Sequence, residues 1–85
     1  MNKNKAIVVF NMIKRNCSVD LEIPLDISAN ELIIALNEAY SLGIDTSDIR
    51  NCFLKSENPI ALLKGNRLLK DYGIMNGTEI NYTDW

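Results

Sequence analysis

The sequence predicts an α+β domain in which a mixed sheet of four or five strands is covered on one face by a single helix. Segments near both ends of the chain are rich in β-branched residues or alternate between apolar and polar types, as strands do. Between them, one stretch has apolar residues at helical spacing. The 85 residues, 47% of them hydrophobic, suffice for one compact core. We therefore expect a single domain over residues 1–85, with flexible ends at 1–5 and 83–85.

The first two predicted strands form a hairpin. Residues 6–10 are β-branched or apolar, a polar cluster follows at 14–16, and residues 19–23 alternate strictly. In the first strand one alternate set is bulkier and entirely apolar, so we place it in the core: Ala6, Val8, Phe10 and Met12. Ile7 and Val9 then face outward.

The predicted helix begins with a capping box. Ser28 and Glu31 have the spacing at which a serine hydroxyl and a glutamate side chain satisfy backbone N–H groups of the first turn. Apolar residues then recur at intervals of three and four and predict one buried stripe: Leu32, Ile33, Leu36, Ala39 and Tyr40. We expect the helix to end near Leu42 and Gly43, where glycine can supply a left-handed cap, before a polar loop at 45–48.

The remaining elements are short and bounded by turn residues. In chain order we predict a third strand at 51–55, a turn at 56–59, a fourth strand at 60–63, a helical turn at 68–74 and a last strand at 78–82 with Ile80 and Tyr82 inward. Either of the two alternate sets of side chains in the third strand can be the buried one. Burying Cys52 and Leu54 leaves Phe53 exposed, whereas burying Phe53 would bury Asn51 too, so we favour the first because it buries no polar group.

A hairpin, a helix crossing one sheet face and returning strands together define a β-grasp arrangement. A right-handed crossover brings the last strand into the sheet beside the first, with the two strands parallel. One face of the sheet is covered by the helix, and the other, which carries Ile7 and Val9, is open.

The composition argues against catalysis and against a cofactor or metal. The sequence contains no histidine, the commonest general base and metal ligand, and its two cysteines lie far apart at Cys17 and Cys52. We expect reduced thiols and no enzyme activity. The acid pairs Asp20 with Glu22 and Asp45 with Asp48 are typical of solvated surface rather than acid–base chemistry.

The charge balance argues against nucleic acid as a partner. Nine basic and eleven acidic residues give a net charge of −2 and a pI near 4.9, whereas phosphate binding calls for a basic excess. The longest apolar run, residues 6–10, is far shorter than the ~20 residues of a membrane span. With no signal peptide in view, we expect a cytoplasmic protein that is peripheral to a membrane at most.

The segment before the last strand resembles ubiquitin. Residues 69–74 are Leu-Lys-Asp-Tyr-Gly-Ile, similar to the Leu-x-Asp-Tyr-x-Ile of ubiquitin, in which the tyrosine hydroxyl ties the loop to nearby backbone and the apolar residues close the core. From Ala6 to Tyr82 the chain looks most like the small bacterial YukD/EsaB group of type VII (WXG100) secretion systems. The resemblance implies a non-catalytic accessory component or regulator that acts through protein contacts.

Conjugation to targets is not expected. Ubiquitin-like modifiers need a flexible C-terminal Gly-Gly, whereas this sequence ends Asn-Tyr-Thr-Asp-Trp directly after the last predicted strand. The later glycines are Gly65, Gly73 and Gly77, each single and each in a predicted turn.

The candidate binding site is an apolar patch on the open face, formed by Ile7 and Val9 with Phe53 and Trp85. The partner implied by the resemblance is a protein, such as a membrane component of the secretion machine. The alternatives are that these residues are scattered apolar surface, or that the protein is a stand-alone cytosolic adaptor that regulates an enzyme or transcription factor. We expect a monomer or a weak homodimer pairing through residues 19–23.

Overall fold

A five-stranded sheet and one α-helix make up the part of the chain that the computed structural model describes, residues 4–83. Residues 1–3 and 84–85, which include most of the predicted flexible ends, lie outside it. The elements are β1 (Lys5–Met12), β2 (Cys17–Pro24), α1 (Ala29–Tyr40), β3 (Leu54–Glu57), β4 (Ala61–Leu63) and β5 (Glu79–Tyr82). Three 3₁₀ turns lie between them at Ile13–Arg15, Thr46–Asn51 and Leu69–Tyr72.

The strand order of the sheet is β2-β1-β5-β3-β4. β1 and β2 form the predicted antiparallel hairpin, with Phe10 opposite Val19. β5 lies parallel to β1 on its other side, with Phe10 beside Ile80. This confirms the β-grasp arrangement and its central parallel pair. β3 is antiparallel to both β5 and β4, and β2 and β4 are the two edges.

One face of the sheet, the covered face, forms the core with α1. Its β1 residues are the predicted set Ala6, Val8, Phe10 and Met12, all buried. From α1, Leu32, Ile33 and Leu36 are buried in the same cluster, and the ring of Tyr40 lies 5.5 Å from that of Phe10. Ile80 and Tyr82 of β5 are also buried, as predicted. The face directed away from α1 is called the open face below.

The capping box at the start of α1 is confirmed. The Ser28 hydroxyl accepts a hydrogen bond from the backbone N–H of Glu31 at 3.1 Å, and the Glu31 carboxylate accepts one from the N–H of Ser28 at 3.1 Å. Two N–H groups that a helix start leaves without an intrahelical partner are thereby satisfied.

The prediction for the end of α1 was wrong in its residue. Ser41, not Gly43, is the left-handed cap, with φ 51°. Two contacts hold the chain there. The Arg15 guanidinium donates to the carbonyls of Tyr40 and Ser41 at 2.7 Å each, and the Asn37 side chain pairs with the backbone N–H and C=O of Ile44. The helix therefore ends where the distant Arg15 satisfies the carbonyls of its last residue and its cap.

The predicted stripe of α1 was wrong at Ala39, which is exposed. Ala29, which the prediction omitted, is buried instead. The buried line runs through Ala29, Ile33 and Leu36 to the half-buried Tyr40. Because the Tyr40 ring fills the space above Phe10, the last turn presents Tyr40 to the sheet and turns Ala39 toward solvent.

The third strand lies later than predicted. β3 contains Ser56 and Glu57, which the sequence assigned to a turn. Ser56 is 2% exposed on the covered face, and its hydroxyl donates to the carbonyl of Pro59 at 2.8 Å. A local hydrogen bond thus lets a turn-forming residue occupy a strand position. The favoured parity is confirmed for Cys52 and Leu54, which are buried.

The predicted polar loop at 45–48 is partly 3₁₀ structure, which runs from Thr46 to Asn51 with a kink at Asp48, whose φ of −115° and ψ of 58° are not helical. Asp45 begins it, because its carboxylate accepts hydrogen bonds from the hydroxyl and the N–H of Ser47. These bonds lower the pKa of Asp45, the side-chain bond having the larger effect. The turn is therefore held by its own side chains.

The segment before β5 closes one end of the core. Leu69 and Ile74 are buried. The hydroxyl of Tyr72 donates to the carbonyl of Lys64 at 2.7 Å and accepts from the N–H of Lys64 at 3.2 Å. The Arg67 guanidinium lies 4.7 Å from the centre of the Tyr72 ring. This is the role that the resemblance to ubiquitin implied for the tyrosine.

Candidate protein-binding surface

Ile7 and Val9 lie together on the open face of β1. Ile7 is 53% exposed and Val9 is half-buried. The turn before β5 holds this part of β1 in place. Ile7 donates its N–H to the side-chain oxygen of Asn76 at 2.8 Å and accepts from the N–H of Gly77 at 2.9 Å. The backbone that presents Ile7 is therefore fixed from two sides.

A polar ladder occupies the centre of the open face. Asn11 of β1 donates from its amide nitrogen to Asn81 at 2.7 Å and to Glu79 at 3.1 Å, both on β5. Its amide oxygen accepts from the hydroxyl of Ser18 on β2 at 2.6 Å. The ladder links three strands and satisfies the half-buried amides.

The structure does not join Phe53 to the apolar pair on β1. Phe53 directly precedes β3 and is half-buried rather than exposed. β5, with the polar side chains of Glu79 and Asn81, lies between β1 and β3. Trp85 lies outside the described residues. Within residues 4–83, only Ile7 and Val9 of the four predicted site residues lie together.

The sequence reasoning missed several exposed apolar residues, and two of them, Ile60 and Leu62, lie together at β4. Ile60, just before β4, is 89% exposed, and Leu62 on β4 is 51% exposed. They line a shallow groove of about 360 Å³ with Lys55, Glu57 and Asn81. The alternation of β4 was the available signal, because burial of Leu63 requires Leu62 to face the opposite side.

The open face is acidic along one row of the sheet. Asp20 of β2 is opposite Val9, Val9 is beside Glu79, and Glu79 is opposite Glu57 of β3. Glu57 and Glu79 are thus like charges directly opposite each other, which is an unfavourable cross-strand pair. Within residues 4–83 the one ion pair closer than 4.0 Å joins Lys5 and Glu22 at 3.9 Å, so neither Glu57 nor Glu79 is neutralised by such a pair.

A second pocket, of about 290 Å³, lies beside the 3₁₀ turn at Thr46–Asn51 and is lined in part by Cys52 and Tyr82. The Cys52 sulfur lies 3.6 Å from the carbonyl of Asp45 and 3.5 Å from that of Asp48. Burial raises the pKa of the Cys52 thiol, and the charges of Asp48 and Asp45 raise it further. A raised pKa disfavours the nucleophilic thiolate. The Cys52 side chain is therefore better suited to packing than to thiol chemistry in this pocket.

Neither a metal cluster nor a membrane-spanning helix is found in the described part of the chain. Residues 4–83 bring together no group of three or more metal-ligating side chains. Over the same residues no helix has the length and apolar character needed to cross a bilayer.

The strand order, the single helix on one face and the Tyr72 contact together define a ubiquitin-like domain. Solved structures with the same fold include the C-terminal ubiquitin-like domain of mouse tubulin-specific chaperone e, with a TM-score of 0.72 at 12% identity, covering 95% of this chain and 87% of that one. The UBL domain of Plasmodium falciparum Dsk2 is similar at a TM-score of 0.62 and 18% identity, covering 91% and 96%. A de novo designed protein based on ubiquitin has a TM-score of 0.65 at 14% identity, covering 94% and 88%.

The chain belongs to the YukD family. The sequence profile of that family, described as "WXG100 protein secretion system (Wss), protein YukD", matches residues 7–81. No curated protein matches the sequence. The chain is thus a ubiquitin-like protein associated with the WXG100, or type VII, secretion system.

Proposed function

We propose that the protein is a cytoplasmic, non-catalytic accessory or regulatory component of the type VII secretion system that binds a protein partner through its open sheet face. The family match over residues 7–81 is the observation that carries the proposal. The partner is a component of the secretion machine, and the contact is non-covalent.

The open face supports this proposal by the way its apolar residues are presented. Ile7 and Leu62 are each about half exposed, on strands that are fixed in a five-stranded sheet. Because the backbone under these side chains is already ordered in the sheet, a partner that covers them need not order that part of the chain. Exposed apolar groups surrounded by polar ones are typical of protein interfaces.

Photo-crosslinking in the native host tests the contact. A crosslinking amino acid is placed at position 7 or 62 on the open face, and at position 38 on α1 as a control, since Glu38 is exposed on the opposite side. We expect crosslinks from positions 7 and 62, but not from 38, to a component of the secretion machine identified by mass spectrometry. Crosslinks to that component from position 38 alone would place the interface on the helix and contradict the use of the open face.

Secretion of the WXG100 protein into the medium tests the role. Ile7→Asp is compared with Ile34→Asp, because Ile34 is an exposed isoleucine of α1, 41% exposed against 53% for Ile7. We expect Ile7→Asp to reduce secretion and Ile34→Asp to leave it unchanged, with both proteins folded by circular dichroism. Normal secretion in a strain lacking the protein, together with crosslinks to an unrelated cytosolic protein, would instead favour the stand-alone adaptor.

The proposal includes the absence of conjugation. The four glycines of the described residues, Gly43, Gly65, Gly73 and Gly77, are all in left-handed turns and none is adjacent to another. Immunoblots of the tagged protein from the host should show the free form without a ladder of heavier adducts. Adducts that resist denaturant and reductant would contradict this part of the proposal.

A further inference from the structure

The groove between β3 and β4 places exposed apolar side chains next to a pair of acidic residues, Glu57 in its lining and Glu79 just outside it. Ile60 and Leu62 supply the apolar surface at β4. Glu57 lies on the adjacent strand β3, and Glu79 is opposite it on β5. Leu62 is in register with Lys55, which belongs to the neighbouring row with Asn81. The groove therefore has an apolar side at β4. On its other side Lys55 supplies one positive charge, and Glu57 connects the groove to the acidic row that continues through Glu79 and Val9 to Asp20.

The opposed pair Glu57 and Glu79 is the feature that selects the partner. Residues directly opposite on antiparallel strands have Cβ atoms about 4.5–5.5 Å apart, and like charges at that spacing destabilise a sheet. Asn11 gives Glu79 one hydrogen bond, but within residues 4–83 neither glutamate has a basic partner closer than 4.0 Å. A cation placed between the two carboxylates would remove the repulsion and gain two charge-assisted contacts.

We propose that this groove binds a protein segment in which an arginine or lysine is adjacent to an apolar residue. The basic side chain lies between Glu57 and Glu79, and the apolar side chain packs against Ile60 and Leu62. A guanidinium group suits the site best, because its planar donors can contact two carboxylates at once. The inference rests on the proposed function and states the chemistry of the partner that the open face binds.

Charge complementarity also argues against a second copy of this chain as the occupant. Two copies that met through this face would bring two acidic rows, each containing Asp20, Glu79 and Glu57, close together. Like charges across an interface suppress association. We therefore expect the protein to be monomeric, by light scattering after size exclusion, at concentrations where the partner segment binds.

Selection from a library of random linear peptides tests the proposal before the partner has been identified. Three purified proteins are compared: the wild type, Glu57→Lys/Glu79→Lys and the matched control Asp26→Lys/Glu38→Lys, which makes the same charge change at exposed positions outside the sheet. We expect the wild type and the control to enrich peptides with arginine or lysine beside an apolar residue. The glutamate variant should lose that preference.

A selected peptide is then synthesised and titrated into labelled protein by nuclear magnetic resonance. Shifts should concentrate at residues 55–62 and 79–81. The affinity should fall about tenfold in Glu57→Lys/Glu79→Lys, because the loss of one close charge pair is enough for that factor. It should fall by a similar factor in Ile60→Ser/Leu62→Ser, because two apolar contacts are lost. It should also fall as salt is raised above about 0.15 M.

Several outcomes of the peptide experiments would overturn the proposal. They are enrichment of neutral or acidic peptides, no enrichment at all, shifts centred on α1 or β2, and a dimer that Ile60→Ser/Leu62→Ser dissociates. The failure of the proposed function is seen separately, as an absence of crosslinks to the secretion machine from positions 7 and 62. Crosslinks that persist in Glu57→Lys/Glu79→Lys would leave the proposed function standing but would contradict the binding of a basic segment in this groove.

Discussion

The two faces of the sheet are built from the same strands by opposite rules. On the covered face of β1 the alternate residues are apolar and buried without exception, and they meet an apolar stripe of α1. On the open face the centre is a ladder of amides and carboxylates, while the apolar residues lie at its margins, Ile7 near one edge and Leu62 at the other.

The difference shows what each face is constrained by. The covered face has one requirement, the exclusion of water, which any well-packed apolar set satisfies. The open face keeps exposed isoleucine and leucine, together with an unfavourable pair of glutamates, although its folding requires neither. Departures from local rules are expected where a protein binds something.

The largest expected effect comes from breaking the covered face. Phe10→Ala removes a fully buried ring that contacts Tyr40 and should lower the free energy of unfolding by about 3–5 kcal/mol, from lost burial and the cavity left behind. Ile7→Ala, three positions earlier on the open face, should change it by about 0.5 kcal/mol or less. Urea unfolding of both variants measures the comparison, and equal losses would show that Ile7 is a core residue.

The cap that starts α1 should matter next. Ser28→Ala removes the hydroxyl that accepts from the N–H of Glu31, and should lower the free energy of unfolding by about 1 kcal/mol. Thermal unfolding checks this against Ser47→Ala, which removes an exposed hydroxyl from the 3₁₀ turn far from the helix start. If the two variants lose the same stability, the capping box has no special role.

The tyrosine that closes the core should contribute a similar or smaller amount. Tyr72→Phe keeps the ring under Arg67 but removes both hydrogen bonds to the backbone of Lys64. We expect a loss of about 0.5–1.5 kcal/mol, together with faster amide exchange at Lys64. Unchanged exchange there would contradict the assignment of the hydroxyl as the tie between the two loops.

On the open face a substitution should stabilise. Glu57→Gln removes one of two opposed charges while keeping the shape of the side chain, and should raise the free energy of unfolding by about 0.2–1 kcal/mol at low salt, with a smaller gain at high salt. Glu38→Gln on α1 is the control. A loss of stability in Glu57→Gln would mean that the carboxylate already has a favourable partner.

The smallest expected effect is a pH dependence at Cys52. The pKa of this thiol is raised in the folded protein, first by burial and then by Asp48 and Asp45. The folded state therefore holds the proton more tightly than the unfolded state, so this contribution is present below the ordinary thiol pKa of about 8.5 and is lost as the pH rises through the raised value. As the pH is raised through that range, the urea midpoint should fall more for the wild type than for Cys52→Ala. Equal decreases in the two proteins would contradict this prediction.

Periodicity and local signals predicted most of the fold. Alternation in β1 and β5 identified the covered face, and the pair Ser28 and Glu31 identified the helix start, because in each case the deciding interaction lies within a few residues. The error at the end of α1 arose because a distant group, Arg15 in the hairpin turn, decides where the helix stops. The error at β3 arose because Ser56 and Glu57 pair with β5, which is distant in sequence.

The candidate surface divides in the same way. The sequence by itself determined that Ile7 faces away from the core, because side chains alternate along a strand. Only the tertiary structure decided which residues are its neighbours. The strand order inserts β5 between β1 and β3, which separates Ile7 from Phe53 and places Glu57 opposite Glu79. Alternation fixes the face on which each side chain lies, because a slip of one residue would reverse it. The residues that face each other across strands distant in sequence are set by the packing of the whole sheet.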